Sequence, residues 1–169
     1  MRLEPIGIIH TPFSEAAGTP IQSSTAKGSQ GTIEVFSQFV PGLKDLDGFD
    51  RIWLLYWFDR AAETRLVLPT YLDDTPHGLF ATRAPCRPNP IGISSVKLLV
   101  VEKNLLHVED IDILDGTPLL DIKPYSPHFD CFEAKHSGWL DPIWKGQKAK
   151  NAVADDRFSQ KDNDRGPAK

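Results

Sequence analysis

The sequence predicts a mainly β protein, a barrel or sandwich of short strands with long loops and few short helices. Three observations carry this. Short apolar or alternating runs follow one another closely, each bounded by Gly or Pro. Proline makes up 14 of 169 residues, against a usual ~5%, which favours loops and short strands over long helices. The 3.6-residue period of an amphipathic helix is nearly absent. The length suits one domain, assigned to residues 1–145.

Leu3 to Ile9 reads as the first strand, closed by Thr11-Pro12. Ser14 to Gln30 is rich in Gly, Ser, Thr and Ala without a period. It is a long loop, and long loops are often functional. Gly31 to Phe36 alternates apolar and polar residues, as a strand does. Pro41 to Leu46 can make one or two helical turns. Arg51 to Phe58 is apolar on both faces, the pattern of a strand covered on both sides. Leu66 to Leu68 and Gly78 to Thr82 are short strands, and Ile93 to Glu102 is the longest. Leu105 to Glu109, Ile111 to Leu114 and Leu119 to Ile122 follow. Residues 146–169 form a polar tail. From Lys150 onward apolar residues are too few to offset the entropy of ordering, so a mobile tail is expected.

The bulk numbers exclude several classes. The formal net charge is −4, which argues against non-specific gripping of nucleic acid, though a local basic patch remains compatible with it. No apolar run approaches the ~20 residues of a membrane span, and the N-terminus lacks a signal-peptide core. No membrane partner is expected, and the location expected is cytoplasmic. Cys86 and Cys131 do not make a disulfide framework. His128, Asp130, Cys131, Glu133 and His136 fit no standard zinc spacing, so no metal is expected. No G-x-G-x-x-G follows a strand, so a Rossmann-type site is not expected.

Phe80-Ala81-Thr82-Arg83-Ala84-Pro85-Cys86-Arg87-Pro88-Asn89-Pro90-Ile91-Gly92 is the most informative stretch. Its three prolines fix φ near about −65° and push the preceding residues toward extended geometry. Such a loop loses little freedom when it binds something. It also carries Arg83, Arg87 and Asn89, which a mere connector would not need. A second distinctive run is Asp115-Gly116-Thr117-Pro118-Leu119-Leu120-Asp121-Ile122-Lys123-Pro124-Tyr125. Asp121, Lys123 and Tyr125 alternate along one strand and so share a face.

These two runs resemble the signatures of the TsaA-like family, roughly T-R-S-P-x-R-P-N-P-I-G and D-G-T-P-h-x-D-I-K-P-Y. The likeness extends to Pro5-Ile6-Gly7-Ile8-Ile9, Thr11-Pro12-Phe13 and Arg51 to Tyr56, and covers about Met1 to Tyr125. The resemblance implies a single small β-barrel whose loops, at one end and close to a homodimer interface, bind S-adenosyl-L-methionine as methyl donor. It implies methylation of N6 of N6-threonylcarbamoyladenosine at position 37 of tRNA. By position, the donor would meet Pro20, Ile21 and Gln22; Asp59 and Arg60; Arg83 and Ile93; and Gly116, Thr117, Pro118 and Leu119. Arg87 and Asn89 would face the acceptor, and Asp121, Lys123 and Tyr125 would carry the catalytic role. Ala84 stands where the family carries Ser, and Asp59 where its well-known member has histidine. Two alternatives are a small-metabolite methyltransferase, favoured by the acidic charge, and a non-catalytic barrel binding RNA or a nucleotide.

Overall fold

The computed structural model describes residues 2–145 and 152–160. Six strands close into a barrel: β1 (Gly7–His10), β2 (Gln30–Val35), β3 (Arg51–Trp57), β6 (Ile91–Glu102), β7 (Leu105–Glu109) and β8 (Thr117–Pro124). The order around the barrel is β1-β2-β7-β6-β3-β8, and β8 pairs back to β1, all neighbours antiparallel. Closure leaves no unpaired barrel edge. β4 (Val67–Leu68) and β5 (His77–Gly78) form a separate two-stranded ribbon. The two α-helices are short, α1 (Pro127–Asp130) and α2 (Leu140–Lys145). No described helix is long and apolar enough to cross a membrane.

Alternation along the strands builds the core. Ile9, Ile33, Ile52, Leu54, Val96, Leu106, Val108 and Leu119 point inward and are fully buried. β3 matches its two-sided apolar pattern only in part: Ile52, Leu54 and Tyr56 are buried, whereas Trp53, Leu55 and Trp57 on the outer face are half-buried. A second cluster lies outside the barrel, formed by Leu68, Leu79, Ala84, Cys86 and Phe158. It anchors the proline-locked loop from beneath. Ala84, in the family's Ser position, packs into this apolar cluster.

Four expectations from the sequence need correction. The first strand begins at Gly7 rather than Leu3, although Ile6 N–H already donates to Leu119 O. Gly78 to Thr82 is not a strand; after Gly78 the chain makes a 3-10 turn over Leu79–Ala81, closed by the Thr82 hydroxyl on Leu79 O. Ile111 to Leu114 is not a strand either. Asp110 adopts φ 67°, which turns the chain out of β7. Ile111 and Ile113 then plug the barrel, and Asp112 faces the other way. The fourth concerns the tail. Residues 152–160 are docked, with Val153 bridged to Pro20, Ser159 bridged to Ala61, and Phe158 buried in the second cluster. One buried aromatic and a run of backbone hydrogen bonds outweigh the polar composition that suggested mobility. The rest of that tail lies outside the described residues.

Candidate functional site

One cavity stands out, with a volume of about 300 Å³, at the small end of the range for ligand pockets. It opens at the barrel end where β3 finishes and β6 and β8 begin. Loop residues Thr19 to Gln22 form one wall, and Tyr56 with Phe58 to Ala61 a second. Thr82, Arg83, Pro85 and Arg87 form a third, continued by Ile91 to Ile93. Asp112 to Leu114 and Thr117 close the base, with Tyr71 and Phe158 at the side. The lining is largely apolar with a few charged groups, the composition of a small-molecule site.

Gly92 explains why the signature run must end in glycine. A Cβ at this position would collide with the Tyr56 ring, which lies directly across from it. The close approach lets the Tyr56 hydroxyl reach Ser94 Oγ at 3.0 Å. Burial, and then the neighbouring Asp112 charge, push the Tyr56 phenol well above its ordinary range, so it stays protonated.

Five charged side chains line the cavity: Asp59, Arg60, Arg83, Arg87 and Asp112. Arg83 donates to Gln22 Oε1 at 2.7 Å, joining the proline-locked loop to the first loop. Arg60 donates to Asp115 O at 2.6 Å and to Thr117 Oγ1 at 3.3 Å. Its Nε is buried without a hydrogen bond. Asp59 Oδ1 lies 3.5 Å away, close enough for attraction but without hydrogen-bond geometry. A buried donor without a partner is costly, and Asp59 is the nearest charge that offsets it. Asp112 accepts from Ser23 Oγ at 3.2 Å. Desolvation pushes its carboxyl up to about 6, against the opposing pull of Ser94, Ser23 and Arg83.

The structure brings together much of what the sequence singled out. Pro20, Ile21, Gln22, Asp59, Arg60, Arg83, Arg87, Ile93 and Thr117 all line the cavity. Gly116, Pro118 and Leu119 are outside its lining, with Leu119 pointing into the barrel core. Arg87 spends Nη1 on the carbonyls of Thr82, Ala84 and Leu79 and so braces its own loop. Asn89 is exposed and outside the lining.

Asp121, Lys123 and Tyr125 do share a face, but it is the outer face of β8. The cause is a bulge. Tyr56 pairs with Leu119, yet Leu55 pairs with Asp121, so Leu120 is an extra residue. One added residue inverts the alternation beyond it. Lys123 Nζ sits 2.8 Å from Asp121 Oδ2, and Tyr125 packs against Trp53 with ring centroids 5.8 Å apart. None of the three lines the cavity.

Sequence reasoning missed Asp112, Tyr71 and Phe158. Asp112 carried a signal, a lone carboxylate inside the apolar run Ile111 to Leu114. Phe158 was the one aromatic in a polar stretch. Burial pushes the Cys86 thiol up, and it lies beneath the loop against Phe158 O, fully buried.

A closed barrel with a loop-built cavity of mixed polarity defines a small ligand-binding barrel. The chain belongs to the tRNA-methyltransferase O N-terminal domain family, whose model matches residues 8–131. It is 53% identical over 155 residues to a protein of Pyrococcus abyssi named as a probable S-adenosyl-L-methionine-binding protein, covering 91% of this chain and 83% of that one. It is 36% identical over 160 residues to the tRNA (adenine(37)-N6)-methyltransferase of Rattus norvegicus, covering 90% of this chain but 36% of that protein. Among solved structures it resembles TrmO from Pseudomonas aeruginosa, with a TM-score of 0.70 and 38% identity, covering 83% of this chain and 63% of that one. This chain therefore spans only part of the length of the last two.

Proposed function

We propose that this chain is an S-adenosyl-L-methionine-dependent methyltransferase acting on tRNA, at N6 of N6-threonylcarbamoyladenosine in position 37. The observation that carries the reading is the cavity itself, where Arg60, Arg83 and Asp112 stand on apolar walls. Membership of the family and the names of the relatives support it. When bound, the donor supplies an electrophilic methyl group. Positive charge leaves its sulfur as the methyl moves, so the protein contributes chiefly alignment and exclusion of water.

The residues present suit that donor. The guanidinium groups of Arg60 and Arg83, both on the cavity wall, suit a carboxylate. Asp112 suits an ammonium group or a ribose hydroxyl, and Tyr56 and Phe58, packed edge to face at 5.2 Å, offer an aromatic wall. The acceptor nitrogen belongs to a urea-like group and is a weak nucleophile, so a hydrogen-bond acceptor that polarises its N–H assists. Asp121, Lys123 and Tyr125 are assigned to acceptor contact on the outer face of β8; an RNA is large enough to touch that face and the cavity together.

The protein is further proposed to act in the cytoplasm as a homodimer. The free, exposed thiol of Cys131 suits a reducing compartment. Leu66, Val67 and Phe80 are 63%, 65% and 77% exposed. Arg87, a cavity residue, lies 5.8 Å from the Phe80 ring centroid, so an interface on this patch would adjoin the cavity.

The deciding experiment incubates the protein with labelled S-adenosyl-L-methionine and tRNA from a strain lacking its own enzyme, followed by nucleoside mass spectrometry. Methylated N6-threonylcarbamoyladenosine is expected. Donor binding without RNA-dependent methyl incorporation would favour a small-metabolite acceptor, and absence of donor binding would leave a non-catalytic barrel.

A further inference from the structure

Residues 152–160 return to the barrel at the cavity. Gly18 N–H donates to Ala154 O at 2.9 Å, and Ala154 N–H to Thr19 O at 2.8 Å. Ala62 N–H donates to Phe158 O at 2.9 Å, and Gln160 N–H to Arg60 O at 3.2 Å. Between these two sets of bonds Phe158 is 3% exposed and packs edge-on against Tyr71, with ring centroids 4.9 Å apart. Arg157 lies over the Tyr71 ring, its guanidinium carbon 5.4 Å from the ring centroid.

The segment fastens together two loops that are far apart in sequence. One loop carries Gln22, the hydrogen-bond partner of Arg83. The other carries Arg60, which lines the cavity and donates to Asp115 O. Ala154, Phe158 and Ser159 also line the cavity directly. All of this lies beyond residue 131, where the match to the family ends. The matched domain alone therefore does not complete this wall.

We propose that residues 152–160 are a fixed wall of the donor site, with Phe158 as the positioning residue that anchors it. The wall holds the loops of Gln22 and Arg60 in register and thereby sets donor affinity. This rests on reading the cavity as a donor site. The two events are linked: a ligand that binds only the docked form slows undocking, and undocking weakens the ligand by the same factor.

The test uses the full chain and S-adenosylhomocysteine as the probe. Hydrogen exchange is followed in peptides covering 152–160 and 16–22, with β7 as internal control. Where the segment opens independently of the barrel, ligand at a hundred times its Kd should slow its exchange by about a hundredfold; β7, which opens only with the whole barrel, is slowed by native-state stabilisation alone and so reports that the ligand is bound. By calorimetry, Phe158→Ala should weaken binding by about tenfold or more, the scale of losing one buried aromatic anchor. Phe158→Leu, which keeps an apolar anchor, should retain most of the affinity. Exchange unmoved by ligand, or wild-type affinity in Phe158→Ala, overturns the wall. Should Phe158→Ala fail to fold, wild-type exchange and Phe158→Leu decide. Failure of the wild-type chain to bind the probe overturns the donor reading itself, a result distinct from either.

Discussion

Arg83 and Arg87 are four residues apart on one rigid loop, yet their surroundings divide their roles. Arg83 is exposed and bonded only to the Gln22 side chain, so its charge is available to a ligand. Arg87 is folded back onto three carbonyls of its own loop. Arg83→Ala should therefore weaken donor binding by about 1.5–3 kcal/mol, the worth of a charge-assisted hydrogen bond, with little change in melting temperature. Arg87→Ala should do the reverse, lowering the melting temperature first. Calorimetry and thermal melts on both variants test the division, and identical profiles would refute it. Asp112 gives a pH dependence. Its carboxyl is pushed up to about 6 by desolvation, so below that pH it is largely neutral and cannot attract a cationic donor. Donor affinity should rise as pH increases through about 6 and level off above 7, and Asp112→Asn should flatten the curve. A wild-type affinity that does not vary between pH 5 and 7.5 would remove Asp112 from the site.

At the scale of elements, β3, β6 and β8 decide where chemistry can sit. Gly92 on β6 brings the Tyr56 ring of β3 against the backbone. Gly92→Ala should cost about 1–3 kcal/mol by overpacking. Because the clash is with one ring, combining it with Tyr56→Val should be clearly less than additive; urea denaturation of the two single variants and the double variant measures this. On β8, a single extra residue at Leu120 turns three polar side chains from the barrel interior to its outer face. The alternation was legible in the sequence, but the bulge was not. Nothing in the residues 119–122 marks it, because it arises from the pairing of β8 with the end of β3.

For the molecule as a whole, closure of the barrel leaves exposed apolar side chains in several places, among them Leu66, Val67 and Phe80 on and beside the β4–β5 ribbon, next to the cavity. Val67→Glu together with Phe80→Glu should shift a dimer toward monomer in sedimentation velocity; an unchanged sedimentation coefficient would move the interface elsewhere. Among the described residues no group of three or more His, Cys, Asp or Glu could hold a metal. Chelator treatment should accordingly leave donor binding unchanged, and a loss reversed by zinc would contradict that.

Much of this protein could be read from its residues alone. Alternation and Gly/Pro punctuation indicate a β fold, because strand periodicity is local. Proline and glycine mark the binding loop because they restrict or free the backbone wherever they occur. Resemblance points to the family and to nine residues of the cavity lining, from Pro20 to Thr117. Tertiary structure decided what depends on distant partners. It showed that Arg87 braces rather than reaches, and that Asp121, Lys123 and Tyr125 face outward. It also placed Asp112 in the cavity, because the run that looked like a strand plugs the barrel instead. Composition assigned the C-terminal stretch to mobility, since it counts apolar residues and not where one of them lands. Phe158 packed with Tyr71, Leu79 and Cys86, together with backbone hydrogen bonds to both loops, holds residues 152–160 against the cavity, because burial is a property of the contact and not of the segment.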